Sequence, residues 1–169
     1  MIKAHKTNAG FTLMEVMIVV GIITIMATIA IPLATTWIAE FRLRSASRDL
    51  ISYIQEIKMA AITKNKNAVA VFNLSSGTYA SFVDNGEGGG TSHDDLRNGT
   101  EPYLKNMALP SGVQLASSTL SSNAGGYFVC FNSRGLPEHG VSSQNIILQN
   151  SNMTSKKIII NPAGAIRVE

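Results

Sequence analysis

The sequence holds 169 residues with a formal net charge of +3, and 15% of its residues are charged. This length suits one modest domain with an appendage. Lys3 and Lys6 carry two of the three net charges, which leaves +1 for the chain from Phe11 onward. So small a balance gives little support for a nucleic-acid-binding function. The single cysteine, Cys130, excludes an intramolecular disulfide.

The N-terminus joins a short basic segment to a long apolar one. Residues 1–10 contain two lysines and no acid, whereas the 24 residues from Val16 to Ala39 contain no charge. A helix of that length covers about 36 Å, enough to cross a hydrocarbon core. Basic residues ahead of such a segment favour a cytoplasmic N-terminus. The sequence therefore predicts a single membrane-spanning helix with the rest of the chain on the far side.

The order of these segments indicates where the chain is processed. A secretory signal places its apolar run before the cleavage site, but here the small-residue junction Gly10-Phe11 precedes that run. We therefore predict a leader at residues 1–10 and a retained helix at residues 11–35. The alternative is an ordinary single-pass membrane protein that keeps Met1.

Glu15 is an isolated acid at the edge of the apolar segment. A carboxylate at membrane depth costs about 2.5–3.5 kcal/mol, so a partner is expected. Cleavage after Gly10 would expose the amine of Phe11 four residues away, and a displaced neighbouring copy would pair with both charges. The alternative is a carboxylate held at the level of the lipid headgroups.

The helix is predicted to run from about Phe11 to about Lys64. Gly21 and Pro32 interrupt its apolar half, and a proline removes a helical hydrogen bond, so we predict a bend or a locally melted turn near Pro32. Residues 36–64 form an amphipathic continuation with apolar residues at helical spacing. The predicted stripe comprises Leu43, Ala46, Leu50, Ile54, Ile57 and Ala61.

Residues 65–169 are predicted to form a β-rich domain. Turn residues separate short alternating segments, and sequential strands with short turns pair antiparallel. The fold class is α+β, with a long N-terminal helix packed on small antiparallel sheets. The predicted strands are Ala68–Asn73, Thr78–Val83, Val113–Ser117, Tyr127–Asn132, Asn145–Gln149, Lys157–Asn161 and Ala165–Val168.

Two further features of this domain have a simple structural interpretation. Cys130 falls in a predicted strand, where a buried apolar thiol is expected rather than an intermolecular bridge or a reactive group. The segment from Asp84 to Thr100 is rich in glycine and acids and is predicted to be an exposed, mobile loop. A cation site is the alternative there, although the spacing does not fit an EF-hand.

The segment from Gly10 to Val16, Gly-Phe-Thr-Leu-Met-Glu-Val, resembles the prepilin signature of type IV pilins and type II secretion pseudopilins. The resemblance implies that a prepilin peptidase cuts between Gly10 and Phe11 and methylates the Phe11 amine. It assigns Glu15 to the acidic assembly position. It also implies anchoring in the lipid of the bacterial inner membrane, a periplasmic C-terminal domain, and partners in other pilin subunits and an inner-membrane assembly platform.

Two C-terminal stretches, residues 131–137 and 158–168, resemble the domain shared by H-type pseudopilins and FimT-like minor pilins. This resemblance implies a subunit of a type II secretion pseudopilus or a type IV pilus. The alternative is a FimT-like pilin that binds DNA. DNA-binding members often carry Gly-Arg-x-Arg, whereas this chain has Ala165 at the first arginine position. The remaining candidate DNA contacts are Arg134, Lys156, Lys157 and Arg167.

No sequence pattern indicates catalysis. The chain has no Walker loop and no metal-binding histidine pair, and the glycine cluster at residues 86–90 lacks the strand-to-helix setting of a phosphate site. We therefore expect no cofactor, no metal and no enzymatic activity.

Overall fold

The computed structural model describes residues 10–139 and 142–169. Within them the chain forms one helix, α1 (Leu13–Lys64), and nine strands. The chain divides into two compact units, and the boundary between them falls after Ile38. The strands are β1 (Asn67–Asn73), β2 (Thr78–Asp84), β3 (Tyr103–Ala108), β4 (Val113–Ser118), β5 (Ser121–Asn123), β6 (Gly126–Phe131), β7 (Gln144–Asn150), β8 (Ser155–Ile160) and β9 (Ile166–Val168). Residues 1–9 of the predicted leader lie outside the described residues.

Both ends of α1 have recognisable caps. Thr12 precedes the helix, and its hydroxyl accepts a hydrogen bond from the Glu15 amide at 3.2 Å. At the other end Asn65 adopts a left-handed conformation with φ of 51°. The Lys66 amide then bonds to the carbonyl of Ala61 at 3.2 Å, as in a Schellman motif. The helix thus starts two residues later than Phe11, the predicted first residue.

Helix α1 is unbroken at Gly21 and Pro32, so the locally melted turn that we predicted is not observed. Proline has no amide hydrogen, which leaves the carbonyl four residues earlier without its helical donor. Just beyond Pro32, the hydroxyls of Thr35 and Thr36 donate to the Pro32 carbonyl at 2.9 and 3.1 Å. A bend at Gly21 or Pro32 stays a prediction.

The predicted apolar stripe of α1 is confirmed, because all six of its residues are buried. It forms the core of the unit that starts at Ala39, together with residues from both sheets. Leu50 and Ile54 have no exposed surface. The helical period of the sequence therefore identified the face that packs on the sheets.

The strands form two sheets with antiparallel pairing throughout. The five-stranded sheet has the order β3-β2-β1-β6-β5, and the four-stranded sheet has the order β4-β7-β8-β9. All seven predicted strands are present within two residues of their predicted bounds, but β3 and β5 were not predicted. Both are edge strands, and β5 has only three residues. The predicted fold class is confirmed.

The five-stranded sheet is apolar on both faces. Ala68, Ala70 and Phe72 belong to the main core. The residues that alternate with them along β1 point to the opposite face, where a second, smaller cluster contains Val69, Phe82, Phe128 and Cys130. The prediction of a buried Cys130 is confirmed.

Candidate membrane-anchoring and assembly site

The predicted cleavage site lies outside the helix. Gly10 and Phe11 precede α1, and the Phe11 side chain is 84% exposed. A Cβ built on Gly10 meets no atom within 4 Å. Gly10 and Phe11 thus lie in exposed backbone outside the helix.

Glu15 lies in the first turn of α1, where the positive end of the helix dipole favours a carboxylate. No Lys, Arg or His of residues 10–139 and 142–169 lies within ion-pair distance of it. A partner for this carboxylate therefore has to come from outside the described part of the chain.

The first half of α1 exposes its apolar surface. By length and composition α1 qualifies as a membrane-spanning helix, and none of its most hydrophobic window is buried. From Val16 to Leu33, large aliphatic side chains are exposed around the whole circumference of the helix. An apolar surface this extensive needs a cover of lipid or of other protein chains.

The two C-terminal stretches that resemble H-type pseudopilins meet against α1. Lys58 donates from Nζ to the Gly164 carbonyl at 2.9 Å. A Cβ on Gly164 would lie 2.7 Å from the Gly135 carbonyl oxygen, and a Cβ on Gly135 would lie 2.8 Å from Cδ1 of Ile62. Both glycines have φ of 75°. These stretches thus form a packing contact that requires glycine twice.

Two of the four candidate DNA contacts, Lys156 and Lys157, do not share a face of the four-stranded sheet. Lys156 pairs with buried Leu148, whereas Lys157 pairs with Ile147, so the two lysines point to opposite faces of the four-stranded sheet. The backbones of Glu169 and Lys157 are joined by two hydrogen bonds. Arg167 forms an ion pair with Glu169 at 2.9 Å. The positive charge of Arg167 is therefore partly neutralised.

The segment from Asp84 to Thr100 is a largely exposed loop, as predicted, but two of its carboxylates, Asp84 and Asp95, are buried, as is the adjacent Glu101. Asp84 accepts hydrogen bonds from the amides of His93 and Asp95, at 2.7 and 2.9 Å. Glu101 accepts from the amides of Gly86 and Asn98, at 3.0 and 2.9 Å. The sequence analysis placed Asp84 in the exposed loop, although its position directly after the predicted strand Thr78–Val83 was an available signal of burial. We call residues 84–101 the acid-clasped loop.

The acid-clasped loop also connects to the small apolar cluster. Asp95 is 7% exposed and pairs with Nε2 of His139 at 2.5 Å. The His139 ring packs edge-on against Phe128, and Glu138 accepts hydrogen bonds from Cys130 and Asn67. Burial and the neighbouring carboxylates of Asp95 and Glu138 raise the pKa of the Cys130 thiol. This thiol is thus kept protonated and unreactive.

These acids do not make a metal centre. Across residues 10–139 and 142–169, no three His, Cys, Asp or Glu side chains are placed to hold an ion together. The oxygens of Asp84 and Glu101 instead accept hydrogen bonds from backbone amides. The contacts therefore support an architectural role for the acid-clasped loop.

Burial of Asp84 predicts a pH dependence of stability. Its pKa is raised above the ordinary 3.8, mainly by burial and also by the charges of Glu101 and Asp94. The folded chain then binds this proton more tightly than the unfolded chain. The stabilisation is present below the ordinary pKa and is lost as the pH rises through the raised one. In the unmodified chain, this effect lowers the free energy of unfolding of residues 39–169 as the pH rises from about 4 to about 7, the range above a normal carboxyl pKa. We expect the fall to be smaller in Asp84→Asn.

Urea unfolding at several pH values measures this slope. Asp49 is exposed on α1, and Asp49→Asn serves as the matched control that leaves the slope in place. An Asp84→Asn slope equal to that of the unmodified domain would show that this carboxyl does not titrate as described.

Comparisons with known proteins agree with this architecture. Residues 5–31 match the family described as Prokaryotic N-terminal methylation motif. The pilin-like protein PilA1 of Thermus thermophilus is 24% identical over 164 residues, which cover 96% of this chain and 99% of the relative.

Solved structures share the fold at low sequence identity. The minor pseudopilin EpsH from the type 2 secretion system of Vibrio cholerae matches with a TM-score of 0.55 and 11% identity, over 76% of this chain and 96% of EpsH. The type IV minor pilin FimU of Pseudomonas aeruginosa also matches with a TM-score of 0.55, at 12% identity, over 77% of this chain and 90% of FimU.

The methylation motif and the fold are those of pilin-like proteins. The proteins of this fold with solved structures are a minor pseudopilin and a minor pilin.

Proposed function

We propose that this chain is a minor subunit of a type II secretion pseudopilus or a type IV pilus, made as a precursor and anchored in the bacterial inner membrane. A prepilin peptidase removes residues 1–10 and methylates the new amine of Phe11. The domain from Ala39 onward lies in the periplasm until an inner-membrane assembly platform adds the subunit to a filament.

The observation that carries this proposal is the exposed apolar half of α1 directly behind an accessible Gly10-Phe11 bond. Lipid covers such a surface in the precursor, and the helices of neighbouring subunits cover it in a filament. Transfer from one cover to the other keeps the apolar area away from water throughout, so little hydrophobic free energy is lost on leaving the membrane.

Of the two filament systems, we favour the type II secretion pseudopilus. The support is the resemblance of residues 131–137 and 158–168 to H-type pseudopilins, together with the packing of these stretches against each other through Gly135 and Gly164. The type IV pilus is the alternative, since the pseudopilin EpsH and the minor pilin FimU match the fold equally well.

Mass spectrometry of the chain purified from bacterial membranes tests the processing step. We expect the mature N-terminus to be N-methylated Phe11, since the scissile bond lies outside α1 and the amine it releases is exposed. A Gly10→Leu variant, which adds a bulky side chain beside the bond, is expected to keep its leader. Recovery of the unmodified chain with Met1 intact would favour an ordinary single-pass membrane protein.

A further inference from the structure

The start of α1 is determined by one side chain next to the cleavage site. The hydroxyl of Thr12 accepts a hydrogen bond from the Glu15 amide at 3.2 Å, and the Val16 amide bonds to the Thr12 carbonyl at 3.3 Å. Thr12 is therefore the N-cap and Leu13 the first helical residue. Thr12-Leu13-Met14-Glu15 also has the spacing of a capping box. The Gly10-Phe11 bond thus ends one residue before the cap.

The sequence offers a second start for the same helix. Asn8 is of a residue type that is strongly preferred at N-caps, and it lies four positions upstream of Thr12, just over one helical turn away. A helix capped by Asn8 would have Ala9, Gly10, Phe11 and Thr12 in its first turn, with the scissile bond inside it. Gly10 opposes this extension because glycine has a poor helix propensity. The cap at Thr12 opposes it as well, since it stabilises a start beyond the bond.

We propose that Thr12 is a positioning residue for leader removal, because its cap keeps the Gly10-Phe11 bond in open backbone. The inference rests on the proposed processing. Hydrolysis breaks the bond between the Gly10 carbonyl carbon and the Phe11 nitrogen. Water supplies one oxygen of the new Gly10 carboxylate, and its two protons end on the Phe11 nitrogen, which leaves as an ammonium group. The attacking water has to approach the Gly10 carbonyl carbon, which helical packing and hydrogen bonding would shield.

A positioning role has a specific kinetic consequence. If Thr12 only sets the fraction of precursor with an open scissile bond, losing the cap lowers that fraction, and the apparent affinity for the peptidase falls by the same factor. The KM should then rise while kcat stays unchanged. If the Thr12 hydroxyl contacts the peptidase directly, its loss should instead change kcat, or should raise KM by an amount that does not depend on the upstream cap.

The experiment measures cleavage of the full-length precursor by a prepilin peptidase in detergent micelles, with mass spectrometry of the released leader. For Thr12→Val, which keeps the shape but loses the acceptor, we expect KM to rise by up to about fivefold, the factor by which an N-cap typically changes a local equilibrium. Thr12→Ser, which restores the cap, should lie within about twofold of the unmodified chain.

Two further variants test the competition between caps. Adding Asn8→Ala to Thr12→Val removes the upstream start and should return KM towards its original value. Thr24→Val is the matched control, since the Thr24 hydroxyl donates to the Val20 carbonyl within the same helix and takes no part in the cap. Carbonyl carbon chemical shifts of labelled Gly10 and Phe11 should move to helical values only in Thr12→Val.

The outcomes distinguish a failure of the proposed processing from a failure of the role of Thr12. An unmodified precursor that is not cut between Gly10 and Phe11 would overturn the proposed processing and this inference with it. Normal cleavage with equal KM values for Thr12→Val and the unmodified chain would overturn only the role of Thr12. A fall in kcat that Asn8→Ala does not reverse would assign Thr12 to direct recognition, which also overturns the inference.

Discussion

Replacing Glu15 by Gln is expected to remove the subunit from filaments while leaving its leader processing intact. The structure gives Glu15 no ion-pair partner among residues 10–139 and 142–169. The proposed cleavage creates a cation, the Phe11 amine, on every subunit. In the proposed filament of staggered copies, we expect the carboxylate of one subunit to pair with the amine of the next.

The size of the effect follows from what the variant leaves behind. Glutamine has nearly the same shape but no charge, so the neighbour's ammonium group would be buried without a counter-ion. Removing one partner of a buried ion pair costs about 3–5 kcal/mol. Each 1.4 kcal/mol is tenfold in an equilibrium. We therefore expect incorporation to fall by about a hundredfold or more.

Quantitative mass spectrometry of sheared filaments and of membranes measures this ratio. Glu40→Gln is the matched control, because Glu40 forms an exposed ion pair with Arg44 at 3.3 Å, and such pairs contribute about 0–1 kcal/mol. Unchanged incorporation of Glu15→Gln would contradict the proposed charge pairing. Loss of both incorporation and leader removal would place the defect in processing.

The helix and most strands could be predicted because their signals are local. The stripe from Leu43 to Ala61 repeats at the helical period, and burial on one face of a helix imposes that repeat. Strand β3 is an edge strand whose residues are largely exposed, so selection for an alternating apolar pattern is weak there. Strand β5 is too short to show a period.

The N-terminal site could also be predicted from local sequence, whereas the buried acids of the acid-clasped loop could not. Gly10, Phe11 and Glu15 form a linear motif, which is visible in the sequence whatever the rest of the chain does. Burial of Asp84 and Glu101 depends on a loop that folds back over 17 positions, and the contact of His139 with Asp95 joins residues still farther apart. Composition alone marks such acids as solvated, because the amides that satisfy them have no sequence signature.

Replacing Ile54 by Ala is expected to lower the free energy of unfolding of residues 39–169 by about 2–5 kcal/mol. Ile54 has no exposed surface and belongs to the core between α1 and the sheets. The substitution deletes buried apolar atoms and leaves a cavity that a packed sheet cannot fill. Ile62→Ala is the matched control, because Ile62 lies on the same helix two turns later with 40% of its surface exposed. Urea unfolding measures both, and the Ile62 variant should lose well under half as much. Equal losses would mean that α1 does not pack through the stripe from Leu43 to Ala61, and the domain would then need another core.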